Sequence, residues 1–209
     1  MTKIKSFLLI SIFLFISVDL FAQSIVKKGD IVIHLTGNDA FVNHRFYIDI
    51  YKKSNSVKVV YSYLDSLKHS EVGKDPEYAR VENKKQEYED NDPKRKLHWD
   101  TIGMIFERHK AYTRDSVTIN LKTDTAYSNL LQRVANVDKA ELAPKIDPMV
   151  LDGDSMSINI ITTDKNMQAA AHAPGAKTHP LLFSFITSTL NKDRKSSAVK
   201  KIRKYYTEY

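Results

Sequence analysis

Several short stretches of this chain alternate apolar and polar residues with a period of two, and that alternation limits the fold more than any other feature. In "DIVIHL" the residues Ile31, Ile33 and Leu35 share one side; in "FYIDIY" Phe46, Ile48 and Ile50 oppose Tyr47, Asp49 and Tyr51. "VKVVYSYL" places Val57, Val59, Tyr61 and Tyr63 together, "DSVTINL" does the same for Val117, Ile119 and Leu121, and "SMSINII" for Met156, Ile158 and Ile160. Successive strand residues point to opposite faces, so these segments predict strands buried on one side only, which is the habit of antiparallel sheets. "KKSNS" between the second and third stretches supplies turn residues and predicts a hairpin. "MQAAAH" returns as a further strand after "TTDKN", with Met167, Ala169 and Ala171 on one face and Gln168, Ala170 and His172 on the other.

Helical spacing is found in three places. Tyr127, Leu130, Val134 and Val137 predict a helix over 126–135, with Asp124 as its cap and Asn136 at its end. Leu182, Phe185, Ile186 and Leu190 predict another over 181–190, with Thr178 or His179 as the cap, Pro180 in the first turn and Asn191 as the stop. Val199, Ile202 and Tyr205 or Tyr206 predict a third over 196–206, docked on the sheet by this stripe.

The remainder is less regular. Residues 67–98 carry eight basic and eight acidic residues with few apolar ones, and read as a charged, mobile insertion on the rim. Asp75 and Pro76 suit a cap and first helical position there, with a short helix to about residue 90 whose apolar positions Tyr78, Val81 and Tyr88 are too sparse for deep burial. Residues 99–112 fit helix, with Asp100 as cap and Ile102, Ile105, Phe106 and His109 in line, or strand, with Ile102, Met104 and Phe106 in line. Periodicity does not decide over so short a run, and helix is the working expectation. Pro144 and Pro148 bracket a connector, and "LDGDS" (151–155) has the wrong acid spacing for a calcium loop and reads as a turn. Together these elements predict one α+β domain: an antiparallel sheet of about five or six strands with helices packed on one face.

"MTKIKSFLLISIFLFISVDLFA" opens the chain. Lys3 and Lys5 precede an apolar run too short for a comfortable membrane span, and a small residue follows, which is the order of a secretory signal peptide over 1–22 with cleavage after Ala22. The expected mature domain is therefore 23–209, exported to the periplasm or the exterior. The chain has no cysteine. Lipid attachment at the cut, disulfides and thiolate zinc sites are all excluded, so an exported domain of this kind depends on its core. The "FAQ" ending, the missing cysteine and the "LDG" strand–strand "HPLL" helix layout resemble secreted proteins of Bacteroidota with no assigned function, and imply an exported location rather than an activity.

Chemistry is sparse. No G-x-S-x-G, P-loop, G-x-G-x-x-G or H-E-x-x-H motif occurs, and six glycines leave little room for a phosphate cradle. His172 and His179 flank a Pro-Gly loop, and Asp164 is the nearest carboxylate in sequence, but zinc takes three or four ligands. The expectation is a structural bend, with His179 kept neutral by the helix N-terminus it occupies. No cofactor is implied.

The formal charge of +7 becomes +6 once Lys3, Lys5 and Asp19 leave with the leader. The last eighteen residues hold seven of the Lys and Arg residues, and Lys200, Lys201, Arg203 and Lys204 fall mostly off the apolar stripe. The sequence thus predicts a non-enzymatic module that binds a protein or a cell-envelope component, not nucleic acid, with Tyr47 and Tyr51 as contact residues. The alternatives are an envelope hydrolase, with or without a metal, and a polyanion-binding protein using the basic end. Contact with a membrane surface through that end calls for bulkier apolar residues than are present.

Overall fold

A computed structural model of the chain describes residues 27–38, 45–83, 93–144, 155–172 and 174–206. The leader, the far part of the charged insertion (84–92) and the stretch 145–154, which holds Pro148 and most of "LDGDS", lie outside the described residues. The fold is a single α+β domain built on one six-stranded antiparallel sheet. Its strands are β1 (Ile31–Asn38), β2 (Arg45–Lys53), β3 (Ser56–Leu67), β4 (Lys110–Asn120), β5 (Ser155–Ile161) and β6 (Asn166–His172), in the order β4-β3-β2-β1-β5-β6.

The alternation in the sequence becomes alternation in burial. Ile33, Leu35, Ile48, Ile50, Val57, Val59, Tyr61, Ile158 and Ile160 are all buried, and paired strands place them opposite one another: Ile33 faces Ile50 and Ile160, and Leu35 faces Ile48 and Ile158. The predicted β2–β3 hairpin turns at Ser54 and Asn55, with Ser54 in the left-handed region at φ 52°. A Cβ at Gly37 would lie 2.2 Å from the Phe46 ring, so the ring lies directly across bare backbone there.

Helices α4 (Thr125–Asn136), α6 (Pro180–Leu190) and α7 (Ser197–Tyr206) cover the apolar face. They match the predicted helices to within a residue or so at each end. Between α4 and α6 the rings of Tyr127 and Phe185 stack 6.3 Å apart. Thr189, fully buried in α6, joins three elements: its carbonyl accepts from the Tyr61 hydroxyl at 2.7 Å, and its side chain lies 3.0 Å from the Tyr127 hydroxyl. Burial is the main cause that pushes both phenols well above their usual pKa, so they remain protonated. A short helix α5 (Lys139–Leu142) lies beside edge strand β6 and buries Leu142.

Residues 67–83 and 93–109 form a second, smaller core. Helices α1 (His69–Val72), α2 (Pro76–Glu82) and α3 (Pro93–Arg108) enclose Val72, Val81, Ile102 and Ile105. Asp75 caps α2 and Pro76 opens it, as expected, whereas Val81 is buried after all because α3 closes over it. The ambiguous 99–112 stretch divides: helix continues to Arg108 and strand begins at Lys110. Asp100 is not a cap, since α3 begins seven residues earlier in the sequence, at Pro93.

The C-terminal helix is held by its start as well as its stripe. Ala198, Val199, Ile202 and Tyr206 are buried against β3 and β4. Ser196 Oγ accepts from Val199 N at 3.0 Å, while Asp115 on β4 accepts from Ala198 N at 2.9 Å and from the Ser196 hydroxyl at 2.8 Å. The Ala198 amide first, and then the Ser196 hydroxyl, hold the Asp115 carboxyl below the usual carboxylate range. A depressed folded-state value adds stability that is complete above the unfolded pKa of about 3.9 and fades as pH falls through the folded one. Asp115→Ala should therefore cost about 1–2 kcal/mol at neutral pH in denaturant unfolding, with the gap to the parent closing below pH ~4. A gap that persists unchanged in acid would contradict this anchoring.

Candidate functional site

Helices α4, α6 and α7 pack on the apolar face, whereas the opposite face is met at its margins by Glu107 of α3, which accepts from the Tyr112 hydroxyl at 3.3 Å, and by Lys139 of α5. The outward residues of that face line up across the strands in register. One row runs Gln168, Asn159, His34, Asp49, Val60, Ser116; the next runs Ala170, Ser157, Thr36, Tyr47, Ser62, Arg114. Directly opposed Cβ atoms in such pairs are about 5 Å apart, so each row is a band of neighbouring side chains.

Two clusters stand out. His34 Nδ1 lies 2.7 Å from Asp49 Oδ1, and the His34 ring meets the Tyr51 ring edge-on at 6.1 Å. A carboxylate only accepts, so in the neutral imidazole the proton sits on Nδ1 and the Nε2 lone pair is left for another partner. Tyr51 is 39% exposed, and its phenol is pushed above its usual pKa, first by burial and then by the negative charge of Asp49. In the second cluster Tyr47 packs on Tyr112 with ring centroids 6.0 Å apart, and the Arg114 guanidinium sits 5.1 Å above the Tyr112 ring. Hydrogen bonding to Tyr47 is the main cause that raises the Arg45 pKa, and burial foremost raises that of Tyr112.

Beside the first cluster the face sinks into a concavity of about 400 Å³ lined by His34, Thr36, Ser157, Asn159, Gln168 and Lys139, the last reaching in from α5. Asn159 Oδ1 is shielded from solvent and accepts no hydrogen bond from the described residues. A larger hollow of about 650 Å³ beside α1 is rich in cations, of which Arg108 pairs with Glu77 and Asp75, His109 with Asp75, and Lys110 with Glu107, while Lys68 also lines it.

The residues singled out from sequence fall in different places. Tyr47 and Tyr51 do lie on the open face, one in each cluster. His172 is exposed at the end of β6 on the same side, whereas His179 is buried at the start of α6. Asp164 precedes β6 and His172 ends it, so six strand steps of about 3.3 Å, roughly 20 Å in all, separate their levels along the strand. No group of three or more His, Asp or Glu able to hold a metal ion is found among the described residues. The His179 pKa is lowered as expected, but the leading cause is burial, offset in part by a hydrogen bond to the Pro144 carbonyl. His179 gives no side-chain cap; Thr178 Oγ1 instead receives Gly175 N at 2.9 Å. Of the basic residues, Lys201 pairs with Asp65 and Arg203 with Asn191, while Lys200 and Lys204 are exposed.

Sequence reasoning missed His34, Asp49, Tyr112, Arg114, Asn159 and Lys139. The alternation put His34, Asp49 and Asn159 on the outward side, but Tyr112 and Arg114 precede the strand expected from sequence, and only cross-strand register brings these strand residues together. No family model, curated protein or solved structure matches the chain. The geometry itself makes a direct prediction: ¹⁵N-resolved NMR of His34 in its neutral form should show the Nδ1–H tautomer, and Asp49→Asn should raise the Nε2–H fraction. An unchanged tautomer ratio in the variant would mean that Asp49 does not orient the ring.

Proposed function

We propose that the chain is an exported, non-enzymatic binding module, and that the open face of its sheet holds a protein or a cell-envelope component. The observation that carries this reading is the composition of that face. Folding requires one apolar side of the sheet, which the helices already cover. Nothing in the core calls for Tyr47, Tyr51, Tyr112 and Arg114 on the other side, and Tyr and Arg are the residue types enriched where proteins recognise partners. The leader supports export, and no helix among the described residues is long and apolar enough to cross a membrane.

Hydrolysis is the weaker reading. The His34–Asp49 pair resembles the base and orienting group of a relay, but a relay also needs a nucleophile or a metal-bound water beside the imidazole. The Thr36 and Ser157 hydroxyls line the same concavity, but among the described residues the His34 imidazole is hydrogen-bonded to Asp49 and to neither hydroxyl, and no metal-holding group is found there. Polyanion binding through α7 is supported by Lys200 and Lys204, but Lys201 and Arg203 are engaged in holding the helix in place.

The test is site-directed photo-crosslinking in cells. A crosslinking amino acid at Tyr51 should capture an envelope component that the same group at Asn129, exposed on α4, does not. The captured protein should begin at Gln23. Equal capture from both positions, or an intact leader on the functional protein, would count against the proposal.

A further inference from the structure

Resting on the reading of the open face as a binding surface, we propose that the concavity beside His34 is a subsite for a carboxylated sugar unit of an acidic oligosaccharide. A sugar presents hydroxyl groups that donate and accept at once, together with apolar ring faces. It is matched by neutral side chains that also do both, set on a rigid floor, with an aromatic ring near by. The concavity supplies Thr36 and Ser157 hydroxyls, Asn159 and Gln168 amides and the His34 imidazole, all on strands, with Tyr51 stacked edge-on against His34. Its volume of about 400 Å³ lies within the usual range for small-molecule sites. From Gln168 on β6 to Asp49 on β2 the row crosses four strands, about 14 Å, which favours an extended ligand over a single small ion.

Charge selects the acidic class. Asp49 is the only acid at the outward positions of the described strands, and it is held by His34 at 2.7 Å. Arg45, Lys53, Lys58 and Arg114 occupy outward positions, and Lys139 stands at the wall of the concavity itself. Lys139 makes no ion pair within the described fold, so its ammonium is available to a carboxylate. Asn159 and Gln168 line the same concavity, and an amide side chain both donates and accepts, as a sugar hydroxyl does.

Isothermal titration of the exported protein with tetragalacturonate, a hyaluronan tetrasaccharide and neutral maltotetraose tests this. The account expects binding of the acidic probes, with maltotetraose weaker by about tenfold or more, because a charge-assisted hydrogen bond is lost. Lys139→Ala should weaken the acidic probes about tenfold while leaving maltotetraose and thermal unfolding unchanged. Gln168→Ala should weaken all three. Silence with both acidic probes, or full affinity in Lys139→Ala, would overturn the proposal. So would affinity that follows Lys200→Ala and Lys204→Ala instead, which would move the site to α7. If the sugar proposal fails while crosslinks at Tyr51 still capture an envelope component, only the ligand class is wrong; if both fail, the open face is not the binding surface.

Discussion

One-sided burial of the sheet is the constraint from which the rest of this structure follows. Six strands place their apolar residues on a single side, and antiparallel pairing with fixed register makes that side continuous from Ile119 at one edge strand to Ala171 at the other. A slip of one residue in any strand would turn its isoleucines to solvent. Each helix then has one place to go. The buried Tyr61–Thr189–Tyr127 hydrogen bonds join β3, α6 and α4, so the depth at which α6 sits is set by polar geometry as well as by packing.

The same constraint sorts the charges. On the helical side, acids hold the elements together: Asp115 caps α7, Asp65 pairs with Lys201, and Asp124 both caps α4 and pairs with Lys192. Those carboxylates lie at the junctions between sheet and helices, and Asp49 is the one acid at the outward positions of the described strands. The formal excess of positive charge, which in the sequence is densest at the C-terminal end, therefore has a second location on the sheet. That location is more suited to a specific ligand, because its groups stand on strands, whereas Lys200 and Lys204 project from a terminal helix into water.

The fold was largely legible in the sequence, because local periodicity is imposed by burial and is visible residue by residue. Met156, Ile158 and Ile160 announced β5, and Leu182, Phe185, Ile186 and Leu190 announced the buried stripe of α6. What was not legible depended on contacts distant in sequence. Val81 looked too isolated to be buried, since Ile102 and Ile105, which cover it, belong to a helix whose own period was ambiguous. The candidate site was less legible still. Tyr47 and Tyr51 could be placed on the outward face, but His34 meets Asp49 only through β1–β2 register, and Lys139 reaches the concavity only because α5 lies beside β6. The histidine pair that attracted notice in sequence is divided in the fold, one ring exposed and the other in the interior.

An alanine scan along β2, reading stability and envelope binding on the same variants, tests the division of labour between the two faces most directly. Ile48→Ala and Ile50→Ala should each lose about 2–5 kcal/mol, as buried aliphatic truncations do. Tyr47→Ala, Asp49→Ala and Tyr51→Ala should stay within about 1 kcal/mol of the parent in stability and lose binding. The account is contradicted if the outward substitutions unfold the protein as readily as the inward ones, or if all three leave binding intact.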